Sequence, residues 1–182
     1  MRRIAGMCAL LALVGLLTAG AATGAKRARP AGGAIRVFAT VGNGINGRIV
    51  IVGAVGDYGK TFTMRQDGKG DPNGNFVRVT LKKGKFLINA TELNKKTNTA
   101  PPTVFSKTTC SYGYAGTGPV TLSKGTGAYA GIHGTITITV NFGAIGPRYE
   151  TGPKKGKCNL TNKAQPIAVS GYILGQGTVK FR

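Results

Sequence analysis

From residue 34 onward the chain is a succession of short runs in which apolar and polar side chains alternate, punctuated by glycine, proline and asparagine. A period of two is the signature of a strand with one buried face. Residues 134–142 (GTITITVNF) show it most cleanly, with Ile136, Ile138 and Val140 turned inward and the threonines outward. Residues 75–81 place Val77, Val79 and Leu81 on one face, and after a turn at 82–85 the partner run returns with Phe86, Ile88 and Ala90. Residues 60–66 alternate as well, Phe62 and Met64 on one side and Thr61, Thr63 and Arg65 on the other. Residues 34–40, 103–114, 118–123, 167–174 and 177–182 complete the set of predicted strands. Residues 47–55 differ. Ile49-Val50-Ile51-Val52 is continuously apolar, which predicts a central strand or one covered on both faces.

The turns support this reading. Asp71-Pro72-Asn73-Gly74 has the chemistry of a type I turn followed by a bulge glycine. Only residues 91–98 (TELNKKTN) suit a helical turn or two, and Pro101-Pro102 ends it. Nine or ten short strands without strand–helix alternation predict an all-β fold. The expected architecture is a single antiparallel β-barrel of about eight strands or slightly more, with a two-sheet β-sandwich as the alternative.

The first residues do not belong to that pattern. Met1-Arg2-Arg3, an apolar run over residues 7–17 and the small residues of 18–25 match a cleaved secretory signal covering residues 1–25, or an uncleaved anchor. The run is shorter than the ~20 apolar residues that a bilayer-spanning helix needs. No later segment predicts a transmembrane helix, so the expected address is secreted, extracellular or in the cell envelope. Taking 25 from 182 residues leaves 157, enough for one domain. Residues 26–33 are basic and rich in small residues and read as a linker, and residues 34–182 form the barrel domain.

Two cysteines then remain, Cys110 and Cys158, in polar surroundings and without CxxC spacing. In an oxidising compartment they predict one disulfide, worth about 4 kcal/mol by loop-closure entropy. Zinc is excluded by the ligand count. The stretch 67–75 has a calcium-like look, yet Lys69 and Pro72 stand where an EF-hand needs a ligand and a glycine, and no glutamate closes the loop. No cofactor and no metal are expected.

Lys124-Gly-Thr-Gly-Ala-Tyr-Ala-Gly-Ile-His-Gly-Thr135, a glycine-rich turn leading into an alternating strand, resembles the corner of allene oxide cyclase-like and dirigent-like barrels. It is similar also to a segment of secreted bacterial proteins of unassigned function, as is Gly53-Ala-Val-Gly-Asp-Tyr-Gly59. The resemblance implies an eight-stranded antiparallel barrel with a central cavity. In the plant cyclases that cavity holds a fatty-acid-derived ligand, and in dirigent proteins it orients phenoxy radicals. Within the corner, Gly125, Gly127, Gly131 and Gly134 are expected to take backbone conformations with positive φ, and Tyr129 to pack over the turn.

The side chains with chemical potential are few: one histidine and five carboxylates in the whole chain. No catalytic residue is assigned. His133 lies in the glycine-rich corner and reads as a turn residue. Asp57 and Tyr58, Tyr129, and the pair Arg148 and Glu150 are candidates for a cavity or barrel mouth, although Asp57 reads first as the cap of a hairpin turn. The charge is more telling: 25 Lys and Arg against five acids give +20, or +18 once Arg2 and Arg3 leave with the signal. Lys82, Lys83 and Lys85, Lys95 and Lys96, and Lys154, Lys155 and Lys157 form clusters suited to an acidic polymer or an anionic lipid surface. Nothing resembles a specific nucleic-acid reader. The expectation is a secreted basic barrel, non-enzymatic, binding a small apolar ligand or an anionic surface. The alternatives are a dirigent- or allene oxide cyclase-like catalyst acting through shape, and a structural or adhesive envelope protein.

Overall fold

A computed structural model describes residues 31–41, 44–161 and 164–182. The expected signal, residues 1–25, and residues 26–30 of the expected linker therefore lie outside the described residues. The remainder is β1 (Gly33–Val41), β2 (Asn46–Gly53), β3 (Asp57–Met64), β4 (Phe76–Leu81), β5 (Gly84–Asn89), α1 (Thr91–Thr99), β6 (Val104–Ser106), β7 (Ser111–Gly127), β8 (Ile132–Ile145) and β9 (Ala168–Phe181). Neighbouring strands are antiparallel in the order β5-β4-β3-β2-β1-β9-β8-β7, and β5 pairs back onto β7 to close the ring. The protein is thus an eight-stranded antiparallel barrel and not a sandwich. The short β6 lies outside the ring on the end of β7.

Closure is incomplete along the seam. β5 meets β7 only through Gly84–Asn89 against Thr121–Gly127, and above that level α1 covers the gap. Leu93 of α1 is buried, and the helix passes so close to β7 that a Cβ on Gly118 would lie 3.0 Å from the Leu93 Cα. Asn94 ties the helix to the β3–β4 connection, its Nδ2 donating to Asn75 Oδ1 at 2.8 Å and to the Gly74 carbonyl. Asn89 Oδ1 accepts from the Thr91 N–H at 3.0 Å and the Thr91 hydroxyl at 2.7 Å, a local turn that leads the chain into the helix.

Several elements differ from their expected form. Residues 103–123 were expected as two strands, but β7 runs unbroken from Ser111 to Gly127. The Gly175-Gln-Gly177 interruption likewise does not break β9, which is continuous over Ala168–Phe181. These glycines point into the barrel, where the side chains of Ile136 and Ile138 occupy the space. The Ile49–Val52 run is not covered on both faces. Ile49 and Ile51 are buried, while Val50 and Val52 are 48% and 43% exposed on the outer wall. In β3 it is Thr61 and Thr63, in step with buried Asp57, that face inward. At Asp71–Gly74 the turn closes through Gly74 N–H to the Asp71 carbonyl at 2.9 Å and Asn73 N–H to Asp71 Oδ1 at 2.8 Å. Gly74 does not take the positive φ of a bulge glycine; a Cβ there would collide with the Met64 carbonyl at 2.2 Å.

The two ends of the barrel are unlike. At the base, formed by the turns after β2, β4 and β7, Ile35, Ile51, Val79, Leu81, Phe86, Leu122, Ile136 and Val179 fill the interior. The opposite end carries longer connections and α1, and it is pinned by the Cys110–Cys158 disulfide, whose Cα atoms are 5.4 Å apart. Cys110 immediately precedes β7, and Cys158 lies within the long connection between β8 and β9. Among the described residues no helix is long and apolar enough to cross a membrane.

Candidate functional site

The upper half of the barrel is not filled. A cavity of about 1200 Å³ opens toward the mouth. Its walls are the inward positions of the strands above the core: Ala39 and Val41 of β1, Thr61 and Thr63 of β3, Val77 of β4, Tyr112 and Tyr114 of β7, Phe142 of β8, and Val169 and Ile173 of β9. Thr97 of α1 closes the side, and Ile45, Asn73, Phe105, Leu160 and Pro166 rim the entrance. The rings form one continuous wall. Tyr112 and Tyr114 meet edge to face with centroids 5.9 Å apart, and Tyr114 lies 5.6 Å from Phe142. Burial, with the neighbouring Tyr114, raises the Tyr112 pKa above its usual value of 10, so that phenol is a neutral hydrogen-bonding group at physiological pH.

Among the described residues that line this cavity none is charged, although Lys and Arg make up 25 of the 182 residues of the chain. The polar side chains of the described lining are hydroxyls and carboxamides, among them Thr61, Thr63, Thr97, Asn46, Asn98 and Gln165, besides the two tyrosines. Such a site can solvate a neutral molecule with hydroxyl or carbonyl groups and offers no counter-ion to a charged one. A smaller depression of about 370 Å³ lies on the outer wall around Asn89, Glu92, Pro119 and Thr135.

None of the residues expected at the cavity lines it. Asp57 and Tyr129 are together, but in the packed base. The Tyr129 hydroxyl, fully buried, donates to Asp57 Oδ2 at 2.5 Å, and the N–H groups of Tyr58 and Lys83 donate to the carboxylate at 2.8 and 3.0 Å. Desolvation favours the neutral acid, but these three hydrogen bonds and the Lys83 charge outweigh it and hold Asp57 below the usual carboxylate range. The same burial and the Asp57 contact push the Tyr129 phenol well above its ordinary value. A carboxylate saturated by donors and a phenol that will not ionise form a structural pair, the turn-capping role for Asp57. Tyr58 points the other way, 58% exposed on the outer wall.

Arg148 and Glu150 sit in the connection near the disulfide but do not pair. The Arg148 guanidinium donates to the backbone carbonyls of Gly156 and Thr108, fastening both sides of the disulfide loop, and Glu150 is exposed. His133 Nδ1 lies 2.9 Å from the Gly131 carbonyl within its own turn. The lysine clusters do not form one patch: Lys82, Lys83 and Lys85 are at the base hairpin, Lys95 and Lys96 on α1, and Lys154, Lys155 and Lys157 in the disulfide loop. Lys95 pairs with Glu92 at 2.9 Å, and Lys154 lies over the Tyr149 ring.

The cavity residues were legible as strand residues but not as a site. Tyr112-Gly-Tyr114 was the one available signal, two aromatics at period two with a glycine between. The glycine-rich corner behaves in part as expected: Gly127, Gly131 and Gly134 have φ of 62°, 77° and 152°. Gly125 is needed for a different reason, since a Cβ there would lie 1.7 Å from the Tyr129 carbonyl. No family model matches the chain, and neither a curated protein nor a solved structure matches it significantly.

Proposed function

We propose that this protein is a non-enzymatic binding barrel that holds a neutral, largely apolar small molecule in its half-open interior. The observation that carries this reading is the lining: an aromatic wall of Tyr112, Tyr114 and Phe142, with scattered hydroxyls and no charged side chain among the described residues, in a strongly basic protein. The barrel with a single open end also supports kinship with allene oxide cyclase-like and dirigent-like barrels, the architecture that the corner at residues 124–135 implies. Export is part of the same proposal, resting on the signal-like residues 1–25 and favoured by the disulfide.

The test is a fluorescence titration with N-phenyl-1-naphthylamine, an uncharged aromatic probe, on the protein and on Ala39→Phe. Ala39 faces the cavity from β1 opposite Ile173 of β9, so a phenyl ring there occupies ligand space. Saturable enhancement with the native protein, weakened at least tenfold in Ala39→Phe at unchanged thermal stability, is the expected result. Absence of saturable enhancement, or equal affinity in the filled variant, would overturn the reading.

A further inference from the structure

The outer wall opposite the helix seam carries an unpartnered row of apolar side chains. Leu174 of β9 pairs in register with Phe38 of β1, Phe38 with Val50 of β2, and Val50 with Tyr58 of β3. The four side chains point away from the core and are 43%, 46%, 48% and 58% exposed. At the usual strand spacing they span ~14 Å across four adjacent strands. Val52 and Tyr172 extend the row at 43% and 49% exposure. This is where the continuous Ile49–Val52 run shows its surplus: Ile49 and Ile51 satisfy the core, so the apolar character of Val50 and Val52 has no interior use.

The flanks of the row are cationic. Arg36 sits opposite Val52, Arg48 opposite Lys60, and Lys82 lies over the Tyr58 ring at 5.5 Å. Arg36, Arg48, Lys60 and Lys82 are all exposed. Among the described residues, this wall presents no acid. Four of the five carboxylates of the chain, Asp67, Asp71, Glu92 and Glu150, lie in the β3–β4 connection, on α1 and in the disulfide loop, and the fifth, Asp57, is buried in the base. A second copy laid on this wall would bring like charges together. An acidic polymer would satisfy the cations but leave the apolar row in water. An anionic bilayer satisfies both, taking the row into the interfacial zone and the cations onto headgroups.

We propose that the β9–β1–β2–β3 outer wall is a docking face for an anionic lipid bilayer. Phe38 and Val50 enter deepest, at the crest of the wall, with Leu174 and Tyr58 at its shoulders. This inference is independent of the cavity, since the row and the cavity lie on opposite faces of the same strands.

The chain has no tryptophan, so Phe38→Trp introduces a single reporter at the crest. Mixed with vesicles of phosphatidylcholine and phosphatidylglycerol, its emission should shift to the blue and be quenched by lipids brominated on their acyl chains. Vesicles of phosphatidylcholine alone should produce little of either. In co-sedimentation, Phe38→Thr combined with Val50→Thr should weaken partitioning to the mixed vesicles by about tenfold or more, the transfer value of the side chains removed. Added salt should weaken it further, through the cations. Three outcomes would overturn the proposal: emission from the Phe38→Trp variant that does not respond to lipid, binding that survives the double variant unchanged, and a concentration-dependent dimer in sedimentation that the double variant abolishes. The last would assign the wall to a second copy. Since the tryptophan variant reads a gain of signal, it decides the matter even where the double variant is destabilised.

Discussion

At the residue scale the best-defined interaction is the buried Asp57–Tyr129 pair. The carboxylate takes the phenol hydrogen bond and two backbone donors, and the phenol has nowhere else to donate. Tyr129→Phe should cost about 2 kcal/mol, the range for a hydrogen bond to a charged group, because the carboxylate remains buried with one donor fewer. The pH dependence follows from the two directions of shift. Asp57 is held below its ordinary value, so its contribution is present above the unfolded carboxyl pKa of ~3.9 and is lost as pH falls through the lower folded value. Tyr129 is raised, so its contribution is present below the unfolded phenol pKa of ~10 and is lost as pH rises beyond it. Urea denaturation across pH should show Tyr129→Phe losing the alkaline decline that belongs to this phenol and unfolding in acid at a higher pH than the native protein. Equal acid midpoints would contradict the pair's role. The role of Asp57 as a turn cap was legible from its place between glycines, but its partner stands 72 residues away. No local pattern names such a partner.

At the element scale, alternation was a dependable guide to inward positions in β4, β5 and β8, where large aliphatics mark the buried face. It misled where the inward residues are small. In β9 the inward series is Val169, Gly171, Ile173, Gly175, Gly177 and Val179, and Gly175-Gln-Gly177 resembles a turn because nothing local says that the space is already taken. It is taken from β8: a Cβ on Gly175 would lie 2.4 Å from Ile138 Cδ1 and 3.1 Å from Val37 Cβ. Gly175→Ala should therefore destabilise by about 1–3 kcal/mol through overpacking. Ile138→Val removes that Cδ1 atom at a cost of about 0.5–1.5 kcal/mol. The double variant should then be more stable than the two single effects added together, with a coupling that urea denaturation resolves. Strict additivity would mean that Gly175 is required by its backbone and not by the packing of Ile138. In β3 the alternation left the inward face open: threonines line the interior because the cavity begins at that level, while Phe62 lies outside with the Arg78 guanidinium 4.6 Å from its ring centroid.

On the scale of the whole molecule, the class, the strand count and the disulfide followed from composition, period and cysteine spacing. The barrel expected ahead of a sandwich is there too, but its seam was not legible, because closure depends on Gly84–Asn89 finding Thr121–Gly127 across a helix and a short outer strand. The functional consequence of closure is a division of the barrel into a filled base and an open, neutral upper half. Charge is segregated accordingly: every described lysine is exposed, on the outer wall, the turns, the helix or the disulfide loop, and the described cavity lining holds none. This segregation is the central claim, and backbone amide NMR of the ¹⁵N-labelled protein titrated with a neutral naphthyl probe tests it most directly. Shifts should gather at Ala39, Thr61, Thr63, Tyr112, Tyr114 and Ile173, with the amides around Asp57 and Tyr129 unmoved. Shifts confined to Phe38, Val50 and Leu174 on the outer wall, or spread without saturation over the surface, would contradict the claim that the barrel interior is a binding site.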